Sequence, residues 1–205
     1  MKLKICGLRD EENITKILEI GPDYLGFIFY EKSARYARRK LDPYFAQSIQ
    51  SAETVGVFVN EDSYQIEDTA QTYELDYIQL HGNESPQQCK ELQAAGLKLI
   101  KVFSVGDSFD FNVLKPYEEW VEYFLFDTKG KLPGGNGYTF DWSQMDNYPS
   151  EVPFFLSGGL GPKHRELVQQ LSLPKLHALD VNSKFEIRPG LKDVQKLQDF
   201  WHHIP

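Results

Sequence analysis

The chain reads as an α/β protein of the (β/α)₈ barrel class, a small single-domain version spanning residues 1–205. Three observations predict it. Short apolar runs of strand character alternate with helical segments from end to end, which implies parallel strands joined by crossovers. The alternation repeats eight times in 205 residues, or about 25 residues per unit, short for this fold. Polar residues able to do chemistry collect at the ends of the strand-like runs, where a barrel places its site. A doubly wound open sheet is the alternative, but it usually has fewer strands.

Leu3–Gly7 is the first strand, and Asp10 caps a helical run to Ile20 that Gly21-Pro22 ends. Tyr24–Phe29 is the second strand, followed by a polar loop with Ser33 and Arg35. Asp42-Pro43 pairs an N-cap with a proline at the first helical position. Thr54–Val59 and Ser63–Glu74 form the third unit, and Tyr77–His81 the fourth strand. Ser85-Pro86 repeats the cap-then-proline signature, and that helix runs to Ala95. Leu97–Phe103 is the fifth strand; a helix over Phe109–Glu119 is expected to be cut short by Pro116. Tyr123–Asp127 is the sixth strand, with a short helix over Asp141–Tyr148. Pro153–Ser157 and Pro162–Leu171 form the seventh unit, and His177–Ser183 and Leu191–His202 the eighth.

Composition narrows the function. Hydrophobic residues make up 41%, enough for a sizeable core. The net charge of −8 argues against nucleic acid or an anionic membrane as partner. Two cysteines, Cys6 and Cys89, make no disulfide framework or zinc motif, and a reducing cytoplasm fits them. The N-terminus meets charge too early for a signal peptide, and no apolar run could span a bilayer.

The strand ends carry Cys6, Gln79, His81, Asp127, Asp180, Asn182 and Ser183, with Arg35 on the second loop. Ser157-Gly158-Gly159-Leu160-Gly161 joins the seventh strand to a helix, and glycines there let backbone N–H groups approach a phosphate. Asn182 and Ser183 stand beside it. Cys6 is either a small buried hydrophobe or, at a strand end, a reactive thiol needing help to ionise. Lys4 shares its strand parity, with Asp180 as a partner across the barrel. Arg35 suits a bidentate clamp on a carboxylate, against the bland reading of a surface arginine beside Arg38, Arg39 and Lys40. His81 is the one histidine at a site-side strand end, so no metal is expected, and nothing resembles a dinucleotide-binding motif.

These blocks together resemble the phosphoribosylanthranilate isomerase family of tryptophan biosynthesis. The match rests on Lys4-Ile5-Cys6-Gly7, Gly26-Phe27-Ile28-Phe29, Ser33-Ala34-Arg35-Tyr36, Gln79-Leu80-His81-Gly82 and Phe126-Asp127-Thr128. It continues through Gly134-Gly135-Asn136-Gly137, Ser157-Gly158-Gly159-Leu160, Leu179-Asp180-Val181-Asn182-Ser183, Glu186 and Pro189-Gly190-Leu191-Lys192-Asp193. The resemblance implies a TIM-barrel isomerase that turns N-(5-phosphoribosyl)anthranilate into 1-(2-carboxyphenylamino)-1-deoxyribulose 5-phosphate without a cofactor. It implies Cys6 as general base, Asp127 as general acid, Arg35 on the anthranilate carboxylate, and phosphate on the last two strand loops. Gln79, His81, Gly158, Gly159, Asp180, Asn182 and Ser183 complete the expected substrate site. The partner is thus a phosphosugar–anthranilate small molecule, and the enzyme is expected to be a monomer or homodimer. Ala34, Asn136 and Lys184 depart from the family's usual residues; Lys184 adjoins the phosphate loop. The glycines from Gly130 to Gly137 read as a mobile lid. A different phosphosugar barrel enzyme, such as an epimerase or an indole-glycerol-phosphate synthase type, and a barrel that binds without catalysis are the competing readings; a synthase is expected to place lysines at the strand ends, whereas Lys101 falls mid-strand.

Overall fold

The computed structural model describes residues 1–106, 108–128 and 142–204. Eight parallel strands close a barrel in sequence order. They are β1 (Lys2–Cys6), β2 (Tyr24–Ile28), β3 (Glu53–Phe58), β4 (Tyr77–Leu80), β5 (Leu99–Val105), β6 (Tyr123–Thr128), β7 (Phe154–Leu156) and β8 (Leu176–Val181). The ring closes through β1 and β8, with Lys4 opposite Asp180.

Six α-helices are described: α1 (Glu11–Leu18), α2 (Pro43–Gln47), α3 (Ser63–Tyr73), α4 (Pro86–Ala94), α5 (Arg165–Gln169) and α6 (Val194–Trp201). Their starts follow the expected chemistry. The side chains of Asp10, Asp62, Ser85 and Asp193 accept hydrogen bonds from the N–H groups of Asn13, Gln65, Gln88 and Lys196. Each such cap is worth about 1 kcal/mol.

Three expected helices are corrected. The segments after β5 and β6 are 3₁₀ turns over Phe111–Tyr117 and Trp142–Asn147. Pro116 lies inside the first and lacks the N–H that an α-helix needs there. The last helix does not begin at Leu191. Leu191–Lys192 is a strand (β10) paired antiparallel with Glu186–Arg188 (β9), and α6 starts only after the Asp193 cap. Gly190, at φ +81°, makes the turn between them. The segment 130–137, read above as a lid, lies outside the described residues.

Strand parity divides the core. Outward residues such as Leu3, Ile5, Phe27, Leu80, Phe126 and Leu179 pack beneath the helices. Inward residues form a second cluster of Tyr24, Val55, Tyr77, Ile100, Val102, Leu125, Phe155 and Ala178. Tyr24 meets Tyr77 and Phe155 edge-to-face and shares a 2.7 Å hydrogen bond with His177 Nε2, so aromatic rings close the barrel floor. One step further along β1, β4, β6 and β8 the inward residues turn polar: Lys4, Gln79, Asp127 and Asp180. The floor is a packed core, and the layer above it is the candidate site.

Candidate active site

Cys6 ends β1 and is buried. Two neighbours fix it. Its strand partner is Gly26, where a Cβ would lie 2.7 Å from Cys6 Sγ, so only glycine leaves room for the thiol. Gly7 follows at φ +78°; a Cβ there would meet Arg35 Cδ and Asn182 Oδ1 at 2.7 Å. The chain beyond Cys6 is therefore pressed between two other site residues.

The charges around Cys6 are buried and paired. Lys4 Nζ lies 3.0 Å from Asp180 Oδ1 and donates to Gln79 Oε1 at 2.8 Å. Burial works against the Lys4 ammonium, but Asp180 and Cys6 outweigh it and raise its pKa above the usual lysine value. Burial pushes the Cys6 thiol up, while the Lys4 and Lys192 ammonium groups pull it back toward ionisation. Asp180 adds to the upward push, so the two ammonium groups offset it only in part and the thiol stays above its usual value.

Arg35 sits on the loop after β2, held by the Ser33 hydroxyl on its own N–H and by the bridge of Tyr36 to Ile28. Its guanidinium forks onto Glu186, with Nε at 2.8 Å from Oε1 and Nη2 at 2.6 Å from Oε2. Glu186 also accepts from Lys192 Nζ at 2.9 Å and Gly190 N–H at 3.1 Å. Lys192 in turn reaches Asn182 Oδ1 at 2.7 Å. Burial opposes the Glu186 charge, but Arg35 and Lys192 prevail and hold its carboxyl below the usual range. Arg38 is different: it bonds Thr69 and lies over the Phe29 and Tyr73 rings in the helix layer. Sequence reading gave Glu186 and Lys192 no role. They appeared only among the blocks that carry the family resemblance; the Pro189-Gly190 turn between them makes a hairpin rather than a helix start.

Asp127 lies at the end of β6, three strands around the ring from β1. His81 Nε2 is 3.5 Å from Asp127 Oδ2, and His81 Nδ1 is 3.0 Å from Gln79 Nε2. Asp127, His81, Gln79, Lys4 and Asp180 thus form one chain of contacts across the barrel mouth. Lys101 is outside it. It turns outward from β5 onto Glu84 Oε2 at 2.7 Å and the carbonyls of Leu80 and Gly82.

On the far side, Gly158 and Gly159 follow β7 at φ +94° and +73°, and Asn182 and Ser183 follow β8. The loop is tied by His164, whose Nδ1 accepts from Gly161 N–H at 3.0 Å. Burial, with the nearby Lys163 charge, lowers the His164 pKa, in keeping with an unprotonated acceptor. The Lys184 stem packs along Gly161, where a Cβ would meet its Cβ at 2.9 Å. Among the described residues, no group of three or more His, Cys, Asp or Glu is placed to hold a metal. Nor is any helix among them long and apolar enough to cross a membrane.

Comparison with known proteins bears on this geometry. The family model for N-(5'-phosphoribosyl)anthranilate (PRA) isomerase matches residues 3–203. The N-(5'-phosphoribosyl)anthranilate isomerase of Parabacteroides distasonis is 44% identical over 206 residues, covering 100% of this chain and 93% of the relative. The crystal structure of phosphoribosyl anthranilate isomerase from Thermotoga maritima superposes with a TM-score of 0.83 at 34% identity, over 100% of this chain and 98% of the other. A phosphoribosyl anthranilate isomerase in complex with reduced 1-(o-carboxyphenylamino)-1-deoxyribulose 5-phosphate has a TM-score of 0.79 at 31% identity, over 100% and 98% of the two chains.

Proposed function

Because the chain belongs to the N-(5'-phosphoribosyl)anthranilate isomerase family of tryptophan biosynthesis, we propose that Cys6 and Asp127 carry its rearrangement as base and acid. The observation that supports this most is the placement of the two groups. Cys6 and Asp127 end strands on facing walls of the barrel, above a closed aromatic floor.

The steps follow from the roles. Asp127, protonated, gives its proton to the ribose ring oxygen, and the C1–O bond breaks. The anthranilate nitrogen supplies the electron pair that makes the C1 iminium. Cys6 as thiolate then takes the proton from C2, and that electron pair forms the enolamine. Protonation at C1 and loss of the O2 proton give the ketone. Acid and base steps of this kind each contribute roughly 10²–10⁴-fold.

Arg35 is assigned to the anthranilate carboxylate. Glu186 takes the Nε–Nη2 edge of the guanidinium, which leaves the Nη1–Nη2 edge for a second carboxylate. The loops at Gly158-Gly159 and Asn182-Ser183 are assigned to the phosphate, supported by two consecutive left-handed glycines tied by His164. Holding both ends of the substrate supplies orientation. Lys101 lies outside the barrel mouth, which speaks against a lysine-based synthase on the same fold.

The test is two single substitutions. Cys6→Ala and Asp127→Asn are each expected to lower kcat by about 10²-fold or more with substrate binding retained. Near-normal turnover in either variant rejects that residue's role.

A further inference from the structure

Gln79 and His81 were expected to touch substrate. Their contacts give them another task. We infer that Gln79, oriented by Lys4, fixes the His81 ring so that its Nε2–H faces Asp127 and sets which carboxyl oxygen presents the acid's proton. This rests on the reading of Asp127 as general acid, and makes Gln79 and His81 positioning residues for it.

An ammonium group donates only, so the Gln79 atom 2.8 Å from Lys4 Nζ must be the amide oxygen. The amide nitrogen then faces His81 Nδ1 at 3.0 Å. An NH₂ group donates only, so Nδ1 accepts and carries no proton. The single proton of the neutral ring is therefore on Nε2. That nitrogen is 3.5 Å from Asp127 Oδ2, just beyond hydrogen-bond length, and contacts of this kind tighten as substrate engages. With an N–H directed at Oδ2, the carboxylic proton belongs on Oδ1. Once that proton has left, the same N–H stabilises the carboxylate.

The anchor is rigid. Lys4 and Gln79 are fully buried, and Asp180 holds the far side of Lys4. Reversing the Gln79 amide would set an NH₂ against the ammonium, with two donors face to face in a buried site, a costly arrangement. The ring proton of His81 is thus decided by a lysine that touches neither His81 nor Asp127 in any described contact.

Gln79→Glu tests this. A carboxylate accepts from both sides, so the ring proton of His81 is drawn to Nδ1 and Nε2 gives up its N–H. Asp127 then loses the N–H directed at its Oδ2. Two readouts are used on the whole chain labelled with ¹⁵N-histidine, with the His81 signals assigned by their loss in His81→Gln. In the unaltered protein near pH 8, long-range ¹H–¹⁵N spectra are expected to show a proton-free Nδ1 and a protonated Nε2. In Gln79→Glu the proton is expected on Nδ1 with Nε2 bare, with kcat down about 10-fold or more and KM little changed. As a rescue, His81→Gln, which keeps an N–H near the ε position, is expected to retain more kcat than His81→Leu.

A proton on Nδ1 in the unaltered protein, or a Gln79→Glu spectrum unchanged from it, overturns the inference. So does equal kcat in His81→Gln and His81→Leu. The two readings fail separately. If Asp127→Asn keeps full turnover, the acid assignment falls whatever the spectra show. If Asp127→Asn is inactive and His81 has the other tautomer, only the present inference falls.

Discussion

Arg35→Ala is the substitution whose effect can be worked most fully from the geometry. The Nε–Nη2 edge of Arg35 is bound to Glu186, and Glu186 is bound to Lys192 and Gly190. The guanidinium is therefore immobilised by the fold. Ordering a free arginine side chain costs up to about 2 kcal/mol, and here that cost does not fall on substrate binding. The remaining edge offers two N–H donors to the anthranilate carboxylate. Hydrogen bonds to charged groups contribute about 1.5–3 kcal/mol. Arg35 keeps 23% of its side chain exposed, so solvent screening favours the lower part of that range. A loss of about 2 kcal/mol corresponds to roughly 30-fold in binding. The fold should tolerate the change, because Glu186 keeps Lys192 and Gly190 as partners. The assay is steady-state turnover with N-(5-phosphoribosyl)anthranilate and with the analogue lacking the ring carboxylate. The expected result is KM raised about 30-fold for the first substrate and no change for the second. An unchanged KM refutes the clamp, and so does an equal loss with both substrates.

Three further outcomes follow from the same contacts. Lys4→Met removes a cation that pulls the Cys6 thiol toward ionisation against burial. In the proposed mechanism the active form is the thiolate, so activity is expected to rise with pH and the limb to move to higher pH in the variant; a limb that stays in place refutes the coupling. Gly26→Ala puts a methyl 2.7 Å from Cys6 Sγ and 3.0 Å from Cys6 Cα. It should cost about 1–3 kcal/mol in denaturant unfolding and lower kcat more than KM. Glu84→Ala strands the buried Lys101 ammonium, and unfolding should show a loss of about 3–5 kcal/mol. An effect under about 1 kcal/mol, typical of an exposed pair, would contradict the burial.

The barrel was legible because strand parity is written locally. Lys4 and Cys6, Gln79 and His81, and Asp180 and Asn182 each alternate with apolar neighbours, so the polar mouth can be read along single strands. Caps such as Asp62 and Asp193 are equally local. The candidate site residues stand out as strand-end polar groups, but the contacts between them do not. Glu186 meets Arg35 from 151 residues away, and Lys4 meets Gln79 from 75. No pattern along the chain encodes such pairs. The β9–β10 hairpin was missed because a two-residue strand leading into an amphipathic helix looks like more of the helix. Lys101 was placed mid-strand correctly, but only the Glu84 contact shows that it faces away from the site.

The central claim is that this chain opens a ribose ring and moves a proton from C2 with Cys6 and Asp127 alone. It is tested by following N-(5-phosphoribosyl)anthranilate labelled with ¹³C at C2, mixed with the purified, chelator-treated protein. The C2 resonance should pass from a carbinol to a ketone at a catalytic rate with the unaltered protein and remain at background with Cys6→Ala. A carbinol that persists with the unaltered protein, or a ketone formed equally fast by Cys6→Ala, would contradict it.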